Sequence, residues 1–90
     1  MNTTKVLEQL ELVLKENSIE VESILLRKNK EIMNSIVLDG SVSMWFNEGS
    51  DYSVRYKGDH VLTTSSLTLA LDKVVELYKR YRVITYVSGE

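Results

Sequence analysis

A chain of 90 residues has the size of one small domain, so we expect residues 1–90 to form a single unit. Its apolar fraction of 43% suffices for one modest core, and its net charge of −2 excludes both a strongly basic nucleic-acid domain and a polyacidic mimic of DNA. The absence of cysteine excludes disulfide bonds and thiolate metal sites.

The distribution of apolar residues also bears on the compartment. The longest aliphatic runs are three residues long, as in Ile24-Leu25-Leu26, which is too short for a membrane span. The first residues, MNTTKVLEQLE, contain no apolar signal segment. We therefore expect a soluble protein of the cytoplasm that does not bind membranes.

The first predicted element is a helix, which Asn2 or Thr3 can cap and which ends at Asn17-Ser18. Apolar residues recur at three- and four-residue spacing along this segment, the pattern of a helix with one buried face. These residues are Val6, Leu7, Leu10, Val13 and Leu14.

A series of strands is predicted next, because short segments with alternating apolar and polar residues are separated by turn residues. The segments are residues 19–28, 32–38, 41–47 and 52–57, followed by a weaker one, HVLTT, after Gly58-Asp59. Asp39-Gly40 is the clearest hairpin signal, since a primed turn requires residues that accept positive φ.

The last helix is predicted to begin at the hydroxyl-rich TTSS and to run through LTLALDKVVELYKRY. The tail at residues 83–88 is β-branched and alternating, so it could add an edge strand. The predicted fold is therefore two-layer α+β: a helix, an antiparallel meander of three to five strands, a second helix, and an optional C-terminal edge strand. The apolar side of the last helix is Leu67, Leu71, Val74, Tyr78 and Tyr81, widened by Ala70 and Leu77.

The hairpin SMWFNEGSDYSVRYK, residues 43–57, holds the only Trp and the only Phe of the chain. Alternation places one apolar set on a single side, and the two strands must agree in register, because a slip of one residue would turn a strand over. A three-residue loop satisfies this condition. With Glu48-Gly49-Ser50 as the loop, Trp45 stands opposite Ser53; with Gly49-Ser50-Asp51, it stands opposite Arg55. The apolar set is Val42, Met44, Phe46, Tyr52, Val54 and Tyr56.

The other side of the hairpin carries Trp45 beside Arg55 and Lys57. A two-residue Asp39-Gly40 turn would set Val37 opposite Val42 and would add two aliphatic residues to the Trp45 side. The predicted result is an apolar patch with a basic rim, of the kind that marks contact sites. Alternatively, the tail strand or a loop covers Trp45, and Arg55 merely lies across the indole in a cation–π contact. The two added aliphatic residues are Ile36 and Leu38.

Few residues in this sequence suit catalysis. His60 is the only side chain whose normal pKa suits proton transfer near neutral pH, and neither a nucleophile nor an orienting partner accompanies it. Asp51, Asp59 and His60 have no spacing typical of a metal site, and the chain has no glycine-rich phosphate loop. We therefore predict no catalytic residue, no metal and no cofactor, and a protein that is not an enzyme.

Nucleic-acid binding is the alternative function. The segment YKRYR at residues 78–82 interleaves cations with tyrosines, and it could act together with the cations of the hairpin. The same cations would also stabilise the C-terminus of a helix through its macrodipole, and we favour this interpretation. The residues of this alternative are Arg55, Lys57, Lys79 and Arg82.

The order of elements resembles that of a double-stranded RNA-binding domain, which has a helix, three strands and a helix. That family carries a lysine cluster at the start of its last helix, whereas the matching stretch here is Thr64-Ser65-Ser66-Leu67, so the resemblance implies no binding residue. In size and composition the chain also resembles small phage or mobile-element proteins that inhibit host machinery.

These observations together predict a small non-catalytic binding module. We expect it to act by protein–protein contact, as a regulator or inhibitor, or by forming a homodimer, in either case through the sheet face around Trp45. A second surface, the acidic cluster of the first helix and strand, is predicted to be solvated or to dock on a basic partner. Its members are Glu8, Glu11, Glu16, Glu20 and Glu22.

Overall fold

The chain folds as a helix, a five-stranded antiparallel meander and a second helix, which confirms the α+β prediction. The computed structural model describes residues 3–28, 33–47 and 51–89, and it describes residues 81–89 by their backbone alone. The elements are α1 (Thr3–Glu16), β1 (Ile24–Arg27), β2 (Asn34–Leu38), β3 (Val42–Phe46), β4 (Tyr52–Tyr56), β5 (Asp59–Thr64) and α2 (Leu67–Gly89).

Helix α1 buries the apolar side predicted from its spacing, with Val6, Leu10 and Leu14 in the core. The helix ends at Glu16, and Ser18 after it is left-handed, with a φ of 55°. The Ile19 N–H donates to the Leu14 carbonyl (2.9 Å) and the Ser18 N–H to the Lys15 carbonyl (3.0 Å), so the last carbonyls of the helix are satisfied by a Schellman-type turn.

The β2–β3 turn adopts the predicted primed conformation but contains one residue more than predicted. Asp39 (φ 52°) and Gly40 (φ 70°) both have positive φ, and the Ser41 N–H donates to the Leu38 carbonyl (3.1 Å). The ladder then resumes with Leu38 opposite Val42, so Ser41 also belongs to the loop.

This extra residue overturns the predicted position of two aliphatic side chains. Ile36 pairs with Met44 and Leu38 with Val42, so both share the core side of β3 rather than the Trp45 side. They are 0% and 1% exposed, respectively. Val37, which pairs with Ser43, takes the place on the Trp45 side that was predicted for them.

The β3–β4 register agrees with the first of the two predicted alternatives. Trp45 stands opposite Ser53, which leaves Arg55 diagonal to it. The loop predicted to produce this register, Glu48-Gly49-Ser50, lies outside the described residues.

Strands β4 and β5 are joined by a two-residue turn with positive φ at Lys57 (51°) and Gly58 (87°), again a primed hairpin. This pairing confirms the weakly predicted fifth strand. The register shifts between Val54 and Arg55, because Leu62 pairs with Val54 while His60 pairs with Arg55. One extra residue in β5, Val61, therefore forms a bulge.

All buried apolar side chains of the sheet lie on one face, and both helices pack against that face in a single cluster. Phe46 and Tyr52 form a tilted aromatic pair in this core, with ring centroids 5.9 Å apart. Burial raises the pKa of the Tyr52 phenol above its ordinary value. The core members are Val6, Leu10, Leu14, Ile36, Leu38, Val42, Met44, Phe46, Tyr52, Val54, Ala70, Leu71, Val74, Leu77 and Tyr78.

Helix α2 starts at the predicted hydroxyl cluster. Ser66 caps it, since its Oγ accepts from the Leu69 N–H (3.3 Å), and Thr64 Oγ1 accepts from the Ser66 N–H (3.1 Å). The helix continues through Gly89, so residues 83–88 do not add the edge strand considered from the sequence. No proline or glycine interrupts this stretch, and β-branched residues cost a helix only a few tenths of a kcal/mol each. Among the described residues, no helix is both long and apolar enough to cross a membrane.

The carboxylate of Asp39 connects the β2–β3 turn to two other parts of the chain. Its Oδ1 accepts from the backbone N–H groups of Glu22 and Ser23, each at 2.9 Å. Its Oδ2 accepts from the hydroxyl of Tyr78 in α2 at 2.7 Å, and the Asp39 N–H donates to the Ser23 carbonyl at 2.8 Å. The start of β1, the turn and α2 are thus joined at one corner.

The β2 register predicts very different costs for two neighbouring substitutions. Ile36→Ala should lower the free energy of unfolding by about 2–5 kcal/mol, the usual loss for a buried aliphatic side chain. Val37→Ala should cost about 1 kcal/mol or less, because Val37 is only partly buried on the other face. Urea unfolding of the two variants measures both values, and a larger loss for Val37→Ala would contradict the register.

The Asp39 contacts predict a graded effect on stability. Asp39→Ala removes every side-chain acceptor and leaves alanine at positive φ, so it should cost about 2–4 kcal/mol. Asp39→Asn tolerates that φ and keeps one carbonyl oxygen for the backbone donors, so it should cost about 1 kcal/mol. Hydrogen exchange at the Glu22 and Ser23 amides should accelerate in the alanine variant only. Equal exchange in both variants would show that the carboxylate does not hold this corner.

Candidate functional site

The side of the sheet opposite the core presents two rows of residues, which we call the open face. In each row, residues on neighbouring strands pair directly across the ladder, so the rows run perpendicular to the strands. Within the described residues, both helices pack against the other face of the sheet, the one that carries the core. The first row is Arg27, Ser35, Trp45, Ser53 and Thr63, and the second is Leu25, Val37, Ser43, Arg55 and His60.

Trp45 lies at the centre of the first row and is half-buried. Its indole Nε1–H donates to Ser43 Oγ, two residues earlier on the same strand, at 3.0 Å. This hydrogen bond holds the ring along the strand and leaves part of the ring accessible. Trp45 is therefore not a member of the core cluster, which includes Leu10, Val74 and Tyr78.

Arg55 lies diagonally across from Trp45 and covers part of its ring, with Cζ 5.4 Å from the ring centroid. A cation–π contact at a partly exposed site contributes about 0.5–1 kcal/mol. The Arg55 Nε is buried and has no hydrogen-bond partner within the described part of the chain. The guanidinium therefore lies on the ring with one donor unpaired. Such an unpaired buried donor costs about 1–3 kcal/mol.

The charges on the open face have one sign. The ten positions of the two rows include Arg27, Arg55 and one histidine, His60, and none of the ten is Asp or Glu. His60 Nε2 lies 2.5 Å from the hydroxyl of Thr63, which connects the ends of the two rows on β5. The open face therefore presents hydroxyl groups, a half-buried indole and two arginines, and the hydroxyl of Ser35 in its first row is buried.

The structure separates the residues that the sequence had grouped around Trp45. Arg55 is in the predicted place, whereas Ile36 and Leu38 are core residues and cannot contact a partner. Lys57 lies in the β4–β5 turn, where its Nζ is 5.4 Å from the ring centroid of Tyr56. The predicted apolar patch is thus smaller and more polar than expected.

The residues proposed for nucleic-acid binding do not form one surface. Arg55 points away from the helices, whereas Lys79 is exposed on α2, in the helix layer behind the sheet. The side chain of Arg82 lies outside the described residues.

The cations of α2 near Lys79 are partly balanced by an acid. Lys73 Nζ donates to Glu76 Oε2 at 2.6 Å, and Arg80 Nη2 is 3.8 Å from Glu76 Oε1. The hydrogen bond and the charge of Lys73 lower the pKa of the Glu76 carboxyl. This arrangement is typical of a solvated helix surface.

Arg27 and His60 are members of the open face that the sequence interpretation did not include. Residues alternate between the two sides of β1. Leu26 packs against the core, so the next residue, Arg27, lies on the open face. His60 begins the weakly predicted strand HVLTT, but the bulge at Val61 interrupts the alternation that would assign His60 to a face. Within the described ranges, no three of the His, Asp and Glu side chains come together as a metal site.

Comparison with known proteins identifies no relative of this chain. No protein-family model, no curated protein and no solved structure matches it. We therefore infer function from the chemistry of the open face.

The contact between Arg55 and Trp45 predicts how accessible the indole is. Arg55→Ala should uncover the ring, so acrylamide should quench the fluorescence of Trp45, the only tryptophan, more strongly than in the wild type. Lys79→Ala removes one positive charge from the helix layer and should leave quenching unchanged. If quenching stays the same or falls in Arg55→Ala, the guanidinium does not cover the ring in solution.

Proposed function

We propose that this chain is a non-catalytic binding module that contacts a protein partner through the open face. The observation that carries the proposal is the half-exposed indole of Trp45 beneath an arginine whose Nε has no partner in the described chain. A partner that covers this pair would bury the remaining ring surface and offer acceptors to the guanidinium.

Three features favour a protein partner over a nucleic acid. Tryptophan and arginine are the residue types most enriched among binding hot spots of protein interfaces. Most other positions of the open face are hydroxyl or aliphatic, whereas a nucleic-acid surface needs cations that follow the phosphates. The sequence pI of about 5.4 is also far below that of typical nucleic-acid-binding domains.

The charge of the open face favours a partner different from the chain itself. A two-fold homodimer brings the same patch of both copies together. Arg27 and Arg55 would then face a surface that carries the same positive charges and no acid at the ten open-face positions. Like charges in contact oppose such pairing, so the homodimer is the less favoured form of the proposal.

A module of this kind acts by occupying its partner. We propose that it regulates or inhibits that partner by covering a site, and that it does so in the cytoplasm, the compartment expected from the sequence. No step of this function requires a catalytic residue.

Two exposed leucines provide a matched test of the proposal. Leu25 is 46% exposed on the open face, and Leu69 is 55% exposed on α2 in the helix layer. A photoreactive amino acid at either position keeps the fold, because neither side chain is part of the core. In cells that naturally express the chain, we expect illumination to attach a polypeptide to position 25 and not to position 69.

Control measurements make this result specific. Trp45→Ala and Arg55→Ala should each abolish the adduct at position 25 while circular dichroism shows that the variants are folded. An adduct containing nucleic acid, an adduct only between two copies of the chain, or no adduct at position 25 would each contradict the proposed protein partner.

A further inference from the structure

We infer that the occupant of the open face is an extended, acidic polypeptide segment, which places one carboxylate at Arg55 and one apolar side chain on Leu25 and Val37. This inference rests on the proposed function and specifies the chemistry of the partner. It follows from the size, the charge and the side-chain order of the open face.

The size of the open face suits a single extended segment. Five strands at about 4.8 Å spacing span roughly 19 Å, and two rows, each about 6.7 Å wide along the strands, cover roughly 250 Å². A standard protein interface buries about 800 Å² on each partner, so the open face is too small for a standard interface with a globular partner. An extended chain advances about 3.3 Å per residue, so about six residues cross the sheet along one row.

The charge of the open face selects an acidic segment. Arg27 and Arg55 are its two full charges, and neither has an ion pair with an acid in the described part of the chain. The guanidinium of Arg55 is planar and suits a carboxylate with two parallel hydrogen bonds.

The order of side chains in the second row determines the spacing within the segment. Leu25 and Val37 stand on β1 and β2, and Arg55 follows on β4, beyond Ser43. Val37 and Arg55 are two strands apart, or roughly 10 Å, which corresponds to about three residues of extended chain. The segment should therefore carry an apolar residue about three positions from an acidic residue. The residues of the segment between these two would lie against Trp45.

Titration with synthetic peptides, followed by the fluorescence of the single tryptophan, tests this inference on the whole protein. The probe is a hexapeptide of serine and threonine with one leucine and one glutamate three positions apart. We expect a saturable change in Trp45 emission that weakens as salt is added, because a charge pair contributes to binding. Arg55→Gln should weaken binding about tenfold, the loss of one charge-assisted hydrogen bond.

Matched controls give each outcome a meaning. Lys79→Gln removes one charge from the helix layer and should bind like the wild type. Arg55→Lys is the second test variant, for use if Arg55→Gln proves unstable, and it should bind with intermediate strength. A peptide with lysine in place of glutamate, or with leucine and glutamate adjacent, should bind more weakly. Equal binding of the lysine peptide, stronger binding of oligothymidylate, or full binding by both Arg55 variants would overturn the inference.

The failure of this inference can be distinguished from the failure of the proposed function. If position 25 captures a polypeptide whose attached segment contains no acidic residue, the inference is wrong and the protein partner remains. If position 25 captures no polypeptide while the acidic peptide binds, the proposed partner fails and the surface only has affinity for carboxylates.

Discussion

The carboxylate of Asp39 joins three segments that are far apart in the sequence: the start of β1, the β2–β3 turn and the C-terminal helix. The turn at this corner contains Ser41 as an additional residue, and the register of β2 against β3 follows from it. That register sends Ile36 and Leu38 into the core and leaves Val37 on the opposite side. The composition of the open face therefore depends on the geometry of one corner that lies outside it, because a shift by one residue would exchange the two sides of β2.

The fold was largely predictable, because its elements follow strong local signals. The apolar spacing of the helices and the hydroxyl cluster before α2 agree with the structure, and the β3–β4 register is one of the two that alternation allows. The predicted β2–β3 register is wrong because the primed turn has three loop residues, Asp39, Gly40 and Ser41, instead of two. Alternation requires the apolar sides of β2 and β3 to coincide, and this condition excludes a two-residue loop here as it does between β3 and β4. Turn residues indicate the backbone conformation of a turn, whereas the buried side chains decide the register.

The candidate site was only partly predictable. Alternation alone places Trp45 and Arg55 together on the side away from the core. Arg27 and His60 were missed for two different physical reasons. The β1 segment carries apolar residues on both of its sides, so its polarity gives little indication of which side is buried. In β5 a bulge inserts one residue, and the period of two that reveals a strand face is lost at that point.

The segment that contains α1 and the open face differ in charge. Residues 3–23, which form α1 and the segment after it, contain five glutamates and two lysines, whereas the open face carries arginines and no acid at its ten positions. An acidic partner attracts the arginines of the open face and repels the glutamates of residues 3–23, so the molecule turns its open face towards such a partner before contact. This arrangement of the two sets of charges thus favours productive orientation during diffusion, before any hydrogen bond with the proposed partner has formed.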